Sequence, residues 1–241
     1  VKGRSLVMAK RHLVVAVALV HLSTACSPAT DEQSAATNAS SAPAPAPVAR
    51  ATAEAADTKL VVALGDSLYA GYNLGPTEGF APVLERTLKE RGVAAQVVNA
   101  GVSGDTSAGG RARVAFVLDG LARKPDLVIV GLGANDMLRG LSPARTRENI
   151  EAILAELKRR DIPMMLTGMV AAPNMGADYA GAFNAIYPDL AKKYGAPLYP
   201  FFLDGVITDR RLLLGDGIHP NPAGVNRVVS KVAPLVTEAL K

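Results

Sequence analysis

A serine follows an apolar run in Gly65-Asp66-Ser67-Leu68, and an aspartate stands three residues ahead of a histidine in Asp216-Gly217-Ile218-His219-Pro220. These are the parts of a proton relay. A hydroxyl becomes a nucleophile when a base lies within hydrogen-bond reach and a third group holds that base in one tautomer. Asp216 is close enough in sequence to accept from Nδ1 of His219, which leaves Nε2 to take the Ser67 proton. Acyl transfer also needs donors aimed at a developing oxyanion. The candidates are the backbone N–H of Ser67, that of Gly104 and the side-chain amide of Asn135. The base must be neutral to accept a proton, so turnover should rise with pH as the imidazole deprotonates.

Four clusters must therefore converge, and the chain is patterned to bring them together. Apolar runs Leu60 to Leu64, Ala95 to Val98, Leu127 to Val130, Pro163 to Thr167 and Pro197 to Phe201 read as strands. Helical spacing joins Phe80, Val83, Leu84, Thr87 and Leu88, and again Ile150, Ile153, Leu154 and Leu157 after Ser142-Pro143. Tyr179, Phe183, Ile186 and Leu190 mark another helix, and Val225, Val228, Val229, Val232 and Val236 the last, with kinks expected at Pro188 and Pro234. Near-continuous apolar strands alternating with helices predict a three-layer α/β/α domain on a mostly parallel five-stranded sheet. In such sheets functional groups gather beyond the carboxyl ends of the strands. Gly65-Asp66-Ser67, the segment Asn99 to Thr106, Gly133-Ala134-Asn135-Asp136, and Asp216 with His219 all follow strands.

The N-terminal region has another character. Residues 1–26 carry four basic and no acidic side chains, then the apolar run Leu13 to Leu22, which is a secretory signal pattern. The tighter charged region after Met8 points to Met8 as the start of translation. Leu22-Ser23-Thr24-Ala25-Cys26 resembles a bacterial lipoprotein box, in which Cys26 would carry a lipid and tether the protein to a membrane. Ser23 and Ala25 equally suit ordinary signal cleavage. Cys26 is the only cysteine, so no internal disulfide forms. Residues 27–58, rich in Ala and Pro, read as a linker that could span roughly 100 Å if semi-extended. Residues 59–241 suit one domain. With the four leader cations set aside, 22 basic residues face 22 acidic ones, so the basic balance is no sign of a nucleic-acid partner.

Ser67 in Gly-Asp-Ser-Leu, Gly104 in Gly-Val-Ser-Gly-Asp-Thr, Asn135 in Gly-Ala-Asn-Asp and His219 in Asp-Gly-Ile-His-Pro resemble the four ordered blocks of the SGNH, or GDSL, hydrolases. Within that family the chain is similar to bacterial arylesterases and to the periplasmic thioesterase and lysophospholipase group. Ala185-Ile186-Tyr187-Pro188-Asp189-Leu190 and Pro200-Phe201-Phe202 add to the likeness. The resemblance implies Ser67 as nucleophile, His219 as base, Asp216 as its orienter, and Ser67, Gly104 and Asn135 as oxyanion donors. It also implies a flavodoxin-like sheet, small-molecule or lipid esters as substrates, and neither metal nor organic cofactor. Relatives acting as thioesterases often carry arginine and leucine before a proline after the fourth strand, where this chain has Val170-Ala171-Ala172-Pro173. Met137, Leu138, Arg139, Asn174 and Met175 are the expected pocket residues. No pattern in the sequence specifies an oligomeric state.

Other classes fit less well. Gly131-Leu132-Gly133 opens like a dinucleotide-binding turn, but Asp136 occupies the third glycine position and would repel a pyrophosphate. No Gly-x-Ser-x-Gly elbow surrounds Ser67, no Cys or His cluster offers zinc ligands, and no Walker loop is present. A binding protein without catalysis would have lost a serine, histidine or oxyanion asparagine, and none is lost. A carbohydrate deacetylase would use the same machinery, but no added carbohydrate-binding module accompanies it.

Overall fold

Parallel strands buried on both faces must be apolar along their whole length, and the two most apolar runs form the centre of the sheet. The computed structural model describes residues 58–241. The leader, Cys26 and the Ala/Pro-rich linker lie outside the described residues. The strands are β1 (Lys59–Gly65), β2 (Ala95–Gly101), β3 (Leu127–Gly131), β4 (Met164–Thr167) and β5 (Leu198–Tyr199). All four pairings are parallel, in the order β2-β1-β3-β4-β5. Val61, Val62, Ala63, Val128 and Ile129 are fully buried, whereas edge strand β2 buries only Val97 and Ala100.

The helices are α1 (Ser67–Ala70), α2 (Phe80–Glu90), α3 (Ser107–Asp119), α4 (Ala134–Leu138), α5 (Pro143–Arg159), α6 (Ala177–Asn184), α7 (Ile186–Tyr194) and α8 (Pro222–Ala239). Right-handed crossovers require the β1-to-β2 connection to lie on the opposite face from the later ones. The packing agrees: α2 lies against α8, and α3 against α5, which also meets α7. This is the α/β/α architecture with the flavodoxin-like strand order. Its topological switch falls between β1 and β3, where such sheets open a crevice. Among the described residues no helix is long and apolar enough to cross a membrane.

Two expectations need correction. The helix read across Tyr179 to Leu190 is two helices broken at Ala185, because Pro188 has no N–H for the Asn184 carbonyl and its ring crowds that group. α8, by contrast, runs unbroken through Pro234, held by the buried stripe Val225, Val228, Val229, Val232 and Val236. The fifth strand is only two residues long, since Pro197 and Pro200 on either side cannot donate to a ladder.

Candidate active site

At the carboxyl end of β1 the chain turns sharply into α1. Asp66 caps that helix, its carboxylate accepting the Leu68 N–H at 3.0 Å, and Ser67 is the first helical residue. Glycine is needed just before it because a Cβ on Gly65 would stand 2.3 Å from the Tyr69 ring. Tyr69 is buried beneath the turn, where its hydroxyl hydrogen-bonds Thr167 Oγ1 at 2.7 Å. The turn that carries Ser67 thus rests on an aromatic floor.

His219 arrives on the loop before α8. Its Nε2 lies 2.9 Å from Ser67 Oγ, and its Nδ1 lies 2.7 Å from Asp216 Oδ2. The other carboxylate oxygen of Asp216 accepts the N–H groups of Ile218 at 2.9 Å and His219 at 3.0 Å. Those two backbone donors, that of His219 first, draw the Asp216 carboxyl down to about 2. Asp216 is therefore a carboxylate throughout the neutral range. Leu214 N–H donates to the His219 carbonyl at 2.7 Å, and the Tyr72 ring lies 4.5 Å from the imidazole, centre to centre. The loop is held from within and by a neighbouring ring.

The other two clusters close around Ser67. Gly104 has φ +85°, a backbone region that favours glycine, and its carbonyl accepts from the Arg139 guanidinium at 2.7 Å. Asn135, on α4, donates one amide hydrogen to the Asp105 carbonyl at 2.9 Å. Asp136 beside it turns inward and is buried, accepting from the Ser107 N–H, the Ser107 hydroxyl and the Thr146 hydroxyl. The carboxylate that spoiled the dinucleotide motif therefore ties α3, α4 and α5 together.

Ser67, Gly104, Asn135 and His219 line one cavity of about 610 Å³. Met137 and Leu138 line it as well. Arg139, Asn174 and Met175 do not: Arg139 turns to the Gly104 carbonyl, and Met175 packs on the core. Sequence reading missed much of the wall, including Tyr72, Met169, Phe201, Leu203 and Ile207. These come from three separate segments, so no spacing could have revealed them. Val170 to Pro173 also border the cavity, on the loop where thioesterase relatives were expected to differ.

Residues 63–227 match the GDSL-like Lipase/Acylhydrolase family. The chain belongs to that family. Esterase TesA of Pseudomonas aeruginosa is 38% identical over 186 residues, 77% of this chain and 90% of that protein. Thioesterase 1/protease 1/lysophospholipase L1 of Escherichia coli is 38% identical over 188 residues, 76% of this chain and 87% of that protein. The crystal structure of AlinE4, an SGNH-hydrolase family esterase, aligns with a TM-score of 0.65 at 49% identity, covering 76% of this chain and 97% of that one. This SGNH hydrolase is a carboxylic ester hydrolase.

One carboxyl of this GDSL-family site behaves unlike Asp216. Asp66 is 1% exposed, and burial pushes it from an ordinary 3.8 to about 6, against the opposing pull of the Leu68 N–H. A folded-state value above the unfolded one means that the folded protein keeps this proton to higher pH. The stability it contributes is full below about pH 4 and is lost as pH rises through about 6. That difference corresponds to about 3 kcal/mol. Asp66→Asn, which mimics the protonated form, should match wild type in urea unfolding at pH 4 and exceed it at pH 7. A stability difference that stayed constant over that range would show that Asp66 does not titrate this way.

Proposed function

We propose that this SGNH hydrolase cleaves carboxylic esters through a Ser67-His219-Asp216 triad and an acyl-enzyme. Ser67 Oγ attacks the ester carbonyl while its proton passes to Nε2 of His219, and Nδ1–H donates to Asp216. The N–H groups of Ser67 and Gly104 and the amide of Asn135 receive the oxyanion. His219 then protonates the departing alcohol as its C–O bond breaks. Water, deprotonated by the same imidazole, releases the acid and restores Ser67. The observation that carries this reading is the continuous line from Asp216 to His219 to Ser67, at 2.7 and 2.9 Å, opening onto the cavity.

The walls support a substrate class. Met137, Leu138, Met169, Val170, Phe201 and Ile207 make an apolar cavity, which suits an aryl or short acyl ester and admits thioester or lysophospholipid chains. It suits a heavily hydrated sugar acetate poorly. The signal pattern of residues 1–26 supports export to the periplasm, with Cys26 as a membrane anchor, residues 27–58 as linker and residues 59–241 as the hydrolase domain.

A fluorophosphonate probe, which reacts with activated serines, tests the nucleophile. Its mass should appear once, on the peptide containing Ser67, and loss of nitrophenyl acetate turnover should follow labelling in proportion. Labelling at another residue, or full turnover after complete labelling, would reject the assignment.

A further inference from the structure

We propose that Arg113 is a positioning residue for ester hydrolysis, keeping the loop that carries Gly104 in register with the strand end that carries Ser67. The inference rests on the reading of Ser67 as nucleophile and of Gly104 and Asn135 as oxyanion donors.

The Gly65 carbonyl, at the last residue of β1, accepts two hydrogen bonds. One comes from the Val102 N–H at 3.1 Å, and the other from a terminal nitrogen of Arg113 at 2.9 Å. The same guanidinium donates through Nε to Asp105 Oδ2 at 2.6 Å. The Asp105 N–H returns to the Val102 carbonyl at 3.1 Å, closing a turn around Ser103 and Gly104. That turn is thus fastened to β1 at both ends, directly through Val102 and by way of Arg113 through Asp105. Asp105 also orients the third donor, because its backbone carbonyl accepts the Asn135 amide at 2.9 Å.

One ion pair therefore relates the Ser67 strand end, the Gly104 turn and the Asn135 amide to each other. The site is built to receive it: a Cβ on Gly109 would stand 2.5 Å from Asp105 Oδ1, so glycine there makes room for the carboxylate. The two side chains are 19% and 17% exposed, a setting in which an ion pair adds modest stability but strong direction. Arginine suits the task because its planar fork addresses a carbonyl and a carboxylate at fixed angles, which a lysine point charge cannot do.

Oxyanion donors work within a few tenths of an ångström, and misplacement by about 1 Å costs about 100-fold in rate. The apolar cavity walls, which set ground-state binding, do not involve Arg113. Arg113→Met should therefore lower kcat on nitrophenyl acetate by about 10- to 100-fold while changing KM less than about twofold. Arg113→Lys, which keeps the charge and most of the stem, should remain about tenfold or more below wild type. Rates are to be expressed per active serine, counted by fluorophosphonate labelling carried to completion. In Arg113→Ala, millimolar guanidinium added to the assay should restore part of the lost kcat.

A purely structural role predicts otherwise: fewer active serines, but wild-type kcat for each. That outcome in Arg113→Met or Arg113→Lys would overturn the proposal, as would a fall confined to KM. Failure of the underlying site reading is a separate result, since the probe would then not label Ser67 in the wild-type protein.

Discussion

Replacing His219 by glutamine should lower kcat/KM for nitrophenyl acetate by about 10⁵- to 10⁶-fold, the scale on which loss of the base acts in serine hydrolases. Glutamine can hydrogen-bond toward Ser67 and Asp216 but cannot take a proton from a hydroxyl at neutral pH. Of the chain's 3 histidines, His219 is the only one among the described residues, the others being His12 and His21. The fold should survive the change. The loop is held by backbone bonds that glutamine keeps, from Leu214 N–H to the residue 219 carbonyl at 2.7 Å and from the residue 219 N–H to Asp216 at 3.0 Å. Circular dichroism and the melting temperature should stay close to wild type while turnover vanishes. A folded variant with kcat within tenfold of wild type would remove His219 from the mechanism.

The polar residues of the site were legible because their chemistry restricts the choice of side chain. Few residues can act as nucleophile, base or orienter, and a glycine beside a polar cluster at a strand end signals close backbone approach. A hydrophobic wall carries no such restriction. Met169, Phe201 and Ile207 read as core residues until folding brings their loops to one cavity. Arg113 was hidden differently. Its importance lies in a carbonyl 48 residues away, and a backbone acceptor leaves no mark on a sequence.

The fold shows the same division. β1 and β3 were evident because burial on both faces leaves no polar position from Leu60 to Leu64 or from Leu127 to Val130. α3 was not, since Gly109 and Gly110 each weaken an isolated helix by about 1 kcal/mol. Packing decides against propensity there: a Cβ on Gly110 would stand 2.2 Å from a Leu132 methyl, so close approach of α3 to the end of β3 requires glycine.

Asp216→Asn should lower kcat by about 10⁴-fold, as the analogous substitution does in a serine-protease triad. The reason lies in which oxygen does what. Asp216 Oδ1 accepts two backbone N–H groups, and Oδ2 faces Nδ1 of His219. An asparagine must keep its carbonyl oxygen on the backbone donors, because turning the NH₂ toward them would set donor against donor. Its NH₂ then faces Nδ1 and donates to it. The imidazole proton is forced to Nε2, the nitrogen that must accept from Ser67, so the base is present in the wrong tautomer. Nitrogen NMR of labelled imidazole should report a protonated Nε2 in the variant and a protonated Nδ1 in wild type. The carboxyl, drawn to about 2 by its backbone donors, stays ionised in wild type from mild acid upward. Protonation of Asp216 therefore cannot set the acid limb of the wild-type pH profile, and that limb belongs to a different group. Wild-type kcat in Asp216→Asn, with the Nε2 tautomer observed, would mean that His219 does not act as the base. Wild-type kcat with Nδ1 still protonated would mean that the backbone donors do not hold the amide as described.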